Sequence, residues 1–279
     1  MYFNTIVYES KGVVSKFFYS PLFAVRINRP APSPPTEHSL VQTMKRGTLM
    51  PPSLTTPFTQ ERTWDADGIP VLHAAITLPC PEGGDKAARR IRRFYQLQAR
   101  SFLRYCETFL LPRARAACTA AAERSAPLPF WEAELTYCVT YNREGLWSLY
   151  TQSREATDEI LLIRRGDTWD LTEAAPVPLG RFFRYRSSWR RVFYRAACEE
   201  LERRQRSGAA RLREDWRRQV KKALNPRDYY LTEEGVTFFL PMYAVGGRSE
   251  GIPAFTIPWS EGASLRSPQT PPPGQKVAP

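Results

Sequence analysis

The chain has 279 residues, 40 of them Lys or Arg against 28 Asp or Glu, for a formal net charge of +12. Its 42% hydrophobic content supports a sizeable core and excludes a collagen-like or wholly disordered chain. No apolar run reaches the ~18–20 residues of a membrane-spanning helix. Five cysteines without a C-x-x-C exclude a disulfide scaffold and a zinc ribbon.

Proline marks the ends. Residues 1–62 and 261–279 together hold 13 of the 25 prolines, and segments such as Arg29-Pro-Ala-Pro-Ser-Pro-Pro35 favour solvated, extended chain. Both ends are expected to be largely disordered, leaving 63–260 as a single domain. Lys11 and Lys16 ahead of Phe17–Val25 imitate a signal peptide. That run is short, is interrupted by Pro21 and lacks a small-residue cleavage site, so the default expectation is cytoplasmic.

Within the domain, Pro70–Leu78 reads as a strand, followed by a Gly83-Gly84 turn with Asp85 as an N-cap. Ile91, Tyr95, Gln98, Phe102, either Tyr105 or Cys106, and Phe109 share one face of a long helix, which Pro112 must kink or end. Trp131–Tyr141 alternates as a strand, with a turn at Asn142–Gly145 before Leu146–Thr151. Ile160–Ile163 and Thr168–Leu171 read as a hairpin around an Arg164–Asp167 turn. A helical block follows from Ser188, its cap, to Leu224, with a break at Ser207-Gly208 and a second stripe of Leu212, Trp216, Val220 and Leu224. Asp228–Leu231 and Val236–Leu240 form a hairpin in which Gly235 suits a left-handed turn position, and Ala254–Ile257 is a last strand. Without βαβ alternation, the order implies an α+β fold: a mainly antiparallel sheet with helices packed on it.

Tyr229-Tyr-Leu-Thr-Glu-Glu-Gly-Val-Thr-Phe-Phe239, then Tyr243-Ala-Val245 and Gly251-Ile-Pro-Ala-Phe-Thr-Ile-Pro-Trp259, resemble the closing segments of the RsiV/PdaC-like domain. Arg165–Asp167 leading to Leu171-Thr172 and Phe182-Phe183 is similar to its upstream region. The resemblance covers roughly 130–260. It implies a bacterial, usually extracytoplasmic binding module, found in anti-sigma factors that sense lysozyme and beside polysaccharide deacetylases. Ala244 and Gly246-Gly247-Arg248 depart from the family pattern, which weakens the carry-over of a lysozyme-like partner specifically.

No motif points to catalysis or to a cofactor. Gly247-Arg-Ser-Glu-Gly251 fits G-x-S-x-G, but both histidines, His38 and His73, precede it, so it reads as a loop between strands. Cys80, Cys106, Cys118, Cys138 and Cys198 lack metal spacing, and core packing explains most of them. Trp64–Gly68 reads as a capped turn. The expectation is therefore a non-enzymatic ligand-binding or sensing module for a protein or a cell-wall glycan. Its candidate contacts on the loops are Asp158, Glu159, Glu233, Glu234, Tyr243, Arg248 and Glu250. The alternatives are a basic nucleic-acid-associated protein and, after it, a cryptic hydrolase. Residues 86–124 carry 10 basic and 2 acidic side chains and residues 181–222 carry 15 and 5, which reads first as solvated arginine faces. Nucleic acid is not the expected partner, because no helix-turn-helix, zinc finger or RNP motif accompanies the charge. Helices packed together on one sheet face would make the domain basic on one side and acidic on the other.

Overall fold

A computed structural model describes residues 56–184 and 187–260; the proline-rich ends, the Phe17–Val25 run and His38 lie outside them. The first strand, β1 (Phe58–Ala66), takes in residues 58–62 of the N-terminal segment, and it pairs antiparallel with β2 (Ile69–Leu78). Asp67 and Gly68 join them with φ of 52° and 80°, the left-handed pair that matches a hairpin's twist.

Asp85 then caps a long helix, its carboxylate accepting the Ala88 N–H at 2.8 Å. Helix α1 (Lys86–Tyr105) runs into a π-turn at Cys106–Leu110 and continues as α2 (Leu111–Glu123). Pro112 therefore does not end the helix, which stays helical through it; its missing N–H falls directly after the widened π-turn, where the regular hydrogen-bond ladder is already interrupted.

The chain returns as β3 (Trp131–Arg143), parallel to β2, so β2, the helix and β3 form one βαβ crossover, in contrast to the expected absence of βαβ alternation. β4 (Leu146–Ala156) and β5 (Ile160–Asp170) follow as a meander, with Glu144 and Gly145 in a second left-handed turn. The short β6 (Ala175–Pro176) closes the six-stranded sheet in the order β1-β2-β3-β4-β5-β6. The hairpin expected around Arg164–Asp167 is instead one continuous strand, because β5 pairs along its whole length with β4. Arg165-Gly166-Asp167 thus lies mid-strand.

After α3 (Trp189–Arg206) the chain makes an isolated bridge between Leu212 and Gly246 before α4 (Trp216–Ala223). Leu212 is accordingly extended and outside the helical stripe. A second sheet follows: β7 (Tyr229–Leu231), β8 (Gly235–Phe239) and β9 (Ala254–Pro258), all antiparallel. Gly235 does not adopt a positive φ. It is needed for close approach, since a Cβ there would collide with the Ile257 carbonyl of β9.

Alternation along β4 and β5 gives the sheet two different faces. Trp147, Leu149 and Trp169 turn toward α1 and α2 and form one core with Ile76, Ile91, Tyr95, Phe102 and Leu110. On the other side, β7 rests its free edge on the sheet: the Leu231 N–H donates to Ser148 Oγ at 2.9 Å, and the Tyr229 carbonyl lies directly over Gly166. A second core gathers α3, α4 and β7–β9 with Tyr141 and Leu146, and Phe193 stacks on Phe238 at 4.0 Å between ring centroids. The basic helices therefore belong to different cores, α1 and α2 on the first sheet and α3 on the second. They do not share one face.

Candidate functional site

Two ends of the domain carry the acidic loop residues. At one end, Glu233 and Glu234 form the β7–β8 turn, where Glu233 pairs with Arg143 of the β3–β4 turn at 2.7 Å. The Glu234 carbonyl accepts the Trp259 N–H at 2.9 Å. Thr232 adds its carbonyl for the Trp259 indole, so this turn is knit to the end of β9.

At the other end, the β4–β5 turn exposes Asp158 and Glu159. Thr157 shapes it, accepting the Glu159 N–H at its hydroxyl. The loop of residues 240–253, which joins β8 to β9, is tied to this turn by Tyr243, whose hydroxyl donates to the Ile160 carbonyl at 3.1 Å. Tyr243 holds this position at φ 66°, a left-handed conformation costly for an aromatic residue. Next to it, the Leu162 N–H meets Met242 Sδ at 3.2 Å.

The remaining two candidates sit further along the same loop. Arg248 is exposed in a single 3₁₀ turn, and among the described residues no ion pair involves it. Glu250 is occupied: its carboxylate accepts the Arg211 N–H at 3.0 Å and the Ser249 hydroxyl at 3.2 Å. Glu250 also packs on Gly246, where any Cβ would strike its Cγ. The seven candidates thus divide. Asp158, Glu159 and Tyr243 adjoin one another, Arg248 and Glu250 share Tyr243's loop, and Glu233 and Glu234 stand apart. Ser249 of the G-x-S-x-G sequence is bound to Glu250, while His73 contacts Thr63 on β1 at 3.0 Å.

A buried polar row lies under α1, at positions whose residue types alone suggest exposure. Thr151, Ser153 and Glu155 continue the inward face of β4 beyond Leu149, and all three are buried. Gln98 donates to Thr151 at 2.9 Å, and Tyr105 donates to Glu155 Oε2 at 3.1 Å. Burial pushes the Glu155 carboxyl up to about 7, and its Oε1 has no hydrogen-bond partner. Asp167 is also held above the usual carboxylate range by burial, despite Arg165 at 3.4 Å and the Tyr95 hydroxyl at 3.4 Å. The signal was the strand period: Trp147, Leu149, Thr151, Ser153 and Glu155 share one parity. Cys106 and Cys118 are buried in this core as expected, whereas Cys138 is exposed. Among the described residues no three His, Cys, Asp or Glu side chains converge as metal ligands would.

Residues 182–260 match the family model described as "Protein of unknown function (DUF3298)". The chain is similar to a DUF3298-family crystal structure from Bacteroides fragilis, at 13% identity and a TM-score of 0.57, over 76% of this chain and 93% of that one. A DUF3298-family structure from Pseudomonas aeruginosa matches at 15% identity and a TM-score of 0.49, over 78% and 96%. Comparison with curated proteins gives no match. The family match supports a domain of DUF3298 type in the C-terminal part, and the Bacteroides structure shows the same fold.

Proposed function

We propose that this domain is a non-enzymatic ligand-binding or sensing module. Its contact surface is the end where the β4–β5 turn meets the 240–253 loop, and its partner is a protein or a cell-wall glycan. The observation that carries the reading is Tyr243. A left-handed aromatic residue is kept only where surrounding structure over-determines it, and here its hydroxyl fastens the long loop beside the exposed Asp158 and Glu159. The loop lies inside the segment that matches the family model. Glu233, by contrast, already spends its charge on Arg143.

Exposed carboxylates steer a basic partner at low salt more than they add affinity. The test is binding of the full chain to a basic lysozyme and to soluble cell-wall glycan fragments, by biolayer interferometry at low salt. Asp158→Lys with Glu159→Lys is expected to weaken capture at least ~10-fold, through the on-rate, while Glu233→Lys with Glu234→Lys leaves it nearly unchanged. Equal loss in both variants, or no capture of either probe by the wild type, contradicts the proposal.

A further inference from the structure

The arginine-rich helices differ in what their charges meet. On α3, Glu200 takes Arg203 and Arg204 at 2.7 Å each, Glu202 takes Arg217 of α4 at 2.9 Å, and Glu199 lies 3.9 Å from Arg195. Three of the six arginines of α3 are thereby paired with its own acids. α4 begins directly after Glu214 and Asp215, and its Arg217 is the cation that Glu202 takes.

Helix α1 has no such compensation. Lys86, Arg89, Arg90, Arg93, Arg100 and Arg104 are all exposed, and among the described residues none of them pairs with a carboxylate. No acid occurs between Lys86 and Tyr105. The first acid beyond, Glu107, is taken by Arg62 of β1. Arg92, on the flank, is spent on the Pro81 and Gly83 carbonyls. Because the opposite face of α1 is fixed in the core through Ile91, Tyr95, Ala99 and Phe102, the cations are held outward. They form a row about 27 Å long at 1.5 Å per residue.

We propose that this row is a docking surface for the phosphodiester backbone of double-stranded nucleic acid. Five of its six cations are arginines, whose fork matches phosphate oxygens. Gln96 and Ser101 stand exposed among them as further donors. A bilayer fits less well: Leu97, 37% exposed, is the one large apolar side chain on this face, too little to enter the acyl region. Contacts of this kind position without reading sequence. The proposal is independent of the loop-end surface above.

The experiment is fluorescence anisotropy of a labelled DNA duplex with the full chain, between about 50 and 200 mM salt. With four or five phosphates engaged, log K should fall against log salt with a slope of roughly −4. Arg93→Glu with Arg100→Glu is expected to weaken binding at least ~10-fold and to reduce the slope by about 2. Arg203→Glu with Arg206→Glu imposes the same change in net charge on α3, and should alter affinity no more than ~3-fold. Circular dichroism establishes that each variant is folded. An equal loss in the α3 variant would make net charge, not the row, the cause and overturns the proposal. So does an absence of duplex binding at the lowest salt. So does row-dependent binding confined to phosphatidylglycerol vesicles, which would assign the surface to a membrane.

Discussion

Glu155 is a carboxyl group in the wrong solvent. Its ordinary value is 4.5 and burial lifts it to about 7. Between those values the folded state holds a proton that the unfolded state has released. Stability therefore falls as pH rises from about 4.5 through 7, the reverse of an ion-paired carboxylate. Asp228, lifted by burial to about 7, adds to the same trend. Glu200, held near 2 chiefly by its Arg203 hydrogen bond, loses its contribution only in stronger acid. Glu155→Gln keeps the shape of the neutral acid and removes the titration. Thermal melts should show it more stable than wild type at pH 8, by an amount of order 1–3 kcal/mol, and nearly equal at pH 5. A variant that gains nothing at pH 8 would contradict the assignment. Gly166 is the second residue whose chemistry is set by a neighbour. Gly166→Ala drives a methyl into the Tyr229 carbonyl, and should cost about 3 kcal/mol or more because backbone, not a flexible side chain, must move.

The turns were legible as elements because they are local. Asp67-Gly68 and Glu144-Gly145 each place a small or polar residue before glycine, and both adopt the left-handed pair that such sequences favour. The caps Asp85 and Ser188 were equally plain. Arg165-Gly166-Asp167 has the same local appearance and is a strand. Its glycine answers to β7, far away in the chain, and no window of sequence contains that contact. Gly235 is the same case, since it answers to β9. At the candidate site, Tyr243 and the acidic turn were readable from residue type, but their grouping depends on which strand ends lie together, which separated Glu233 and Glu234 from the rest. Ser148 tests the element contact itself. Ser148→Ala leaves the buried Leu231 N–H without its acceptor, an expected loss of about 1–3 kcal/mol. Faster hydrogen exchange at Leu231 and its β7 neighbours should accompany it; a change confined to β3–β5 would argue against the seat.

At the scale of the whole domain, the two cores depend on each other. The segment matching the family model, 182–260, supplies α3, α4 and the second sheet, yet its core is completed by Tyr141, Leu146, Val177 and Leu179 from outside it. A fragment of 182–260 alone is expected to lack cooperative unfolding and dispersed amide resonances, whereas 56–260 should melt in a single transition. A folded, cooperative short fragment would show that the second sheet does not need its seat.

That seat also sets an order of events. β3, β4 and β5 are neighbours in sequence and pair through short turns, so their ladder closes small loops and forms at low entropic cost. The edge of β7 has nothing to rest on until Ser148 and Gly166 lie side by side in that ladder. The second sheet is thus expected to dock last. Weakening its seat should leave the refolding rate almost untouched and shorten the lifetime of the finished protein, so its loss would register in how fast the molecule comes apart.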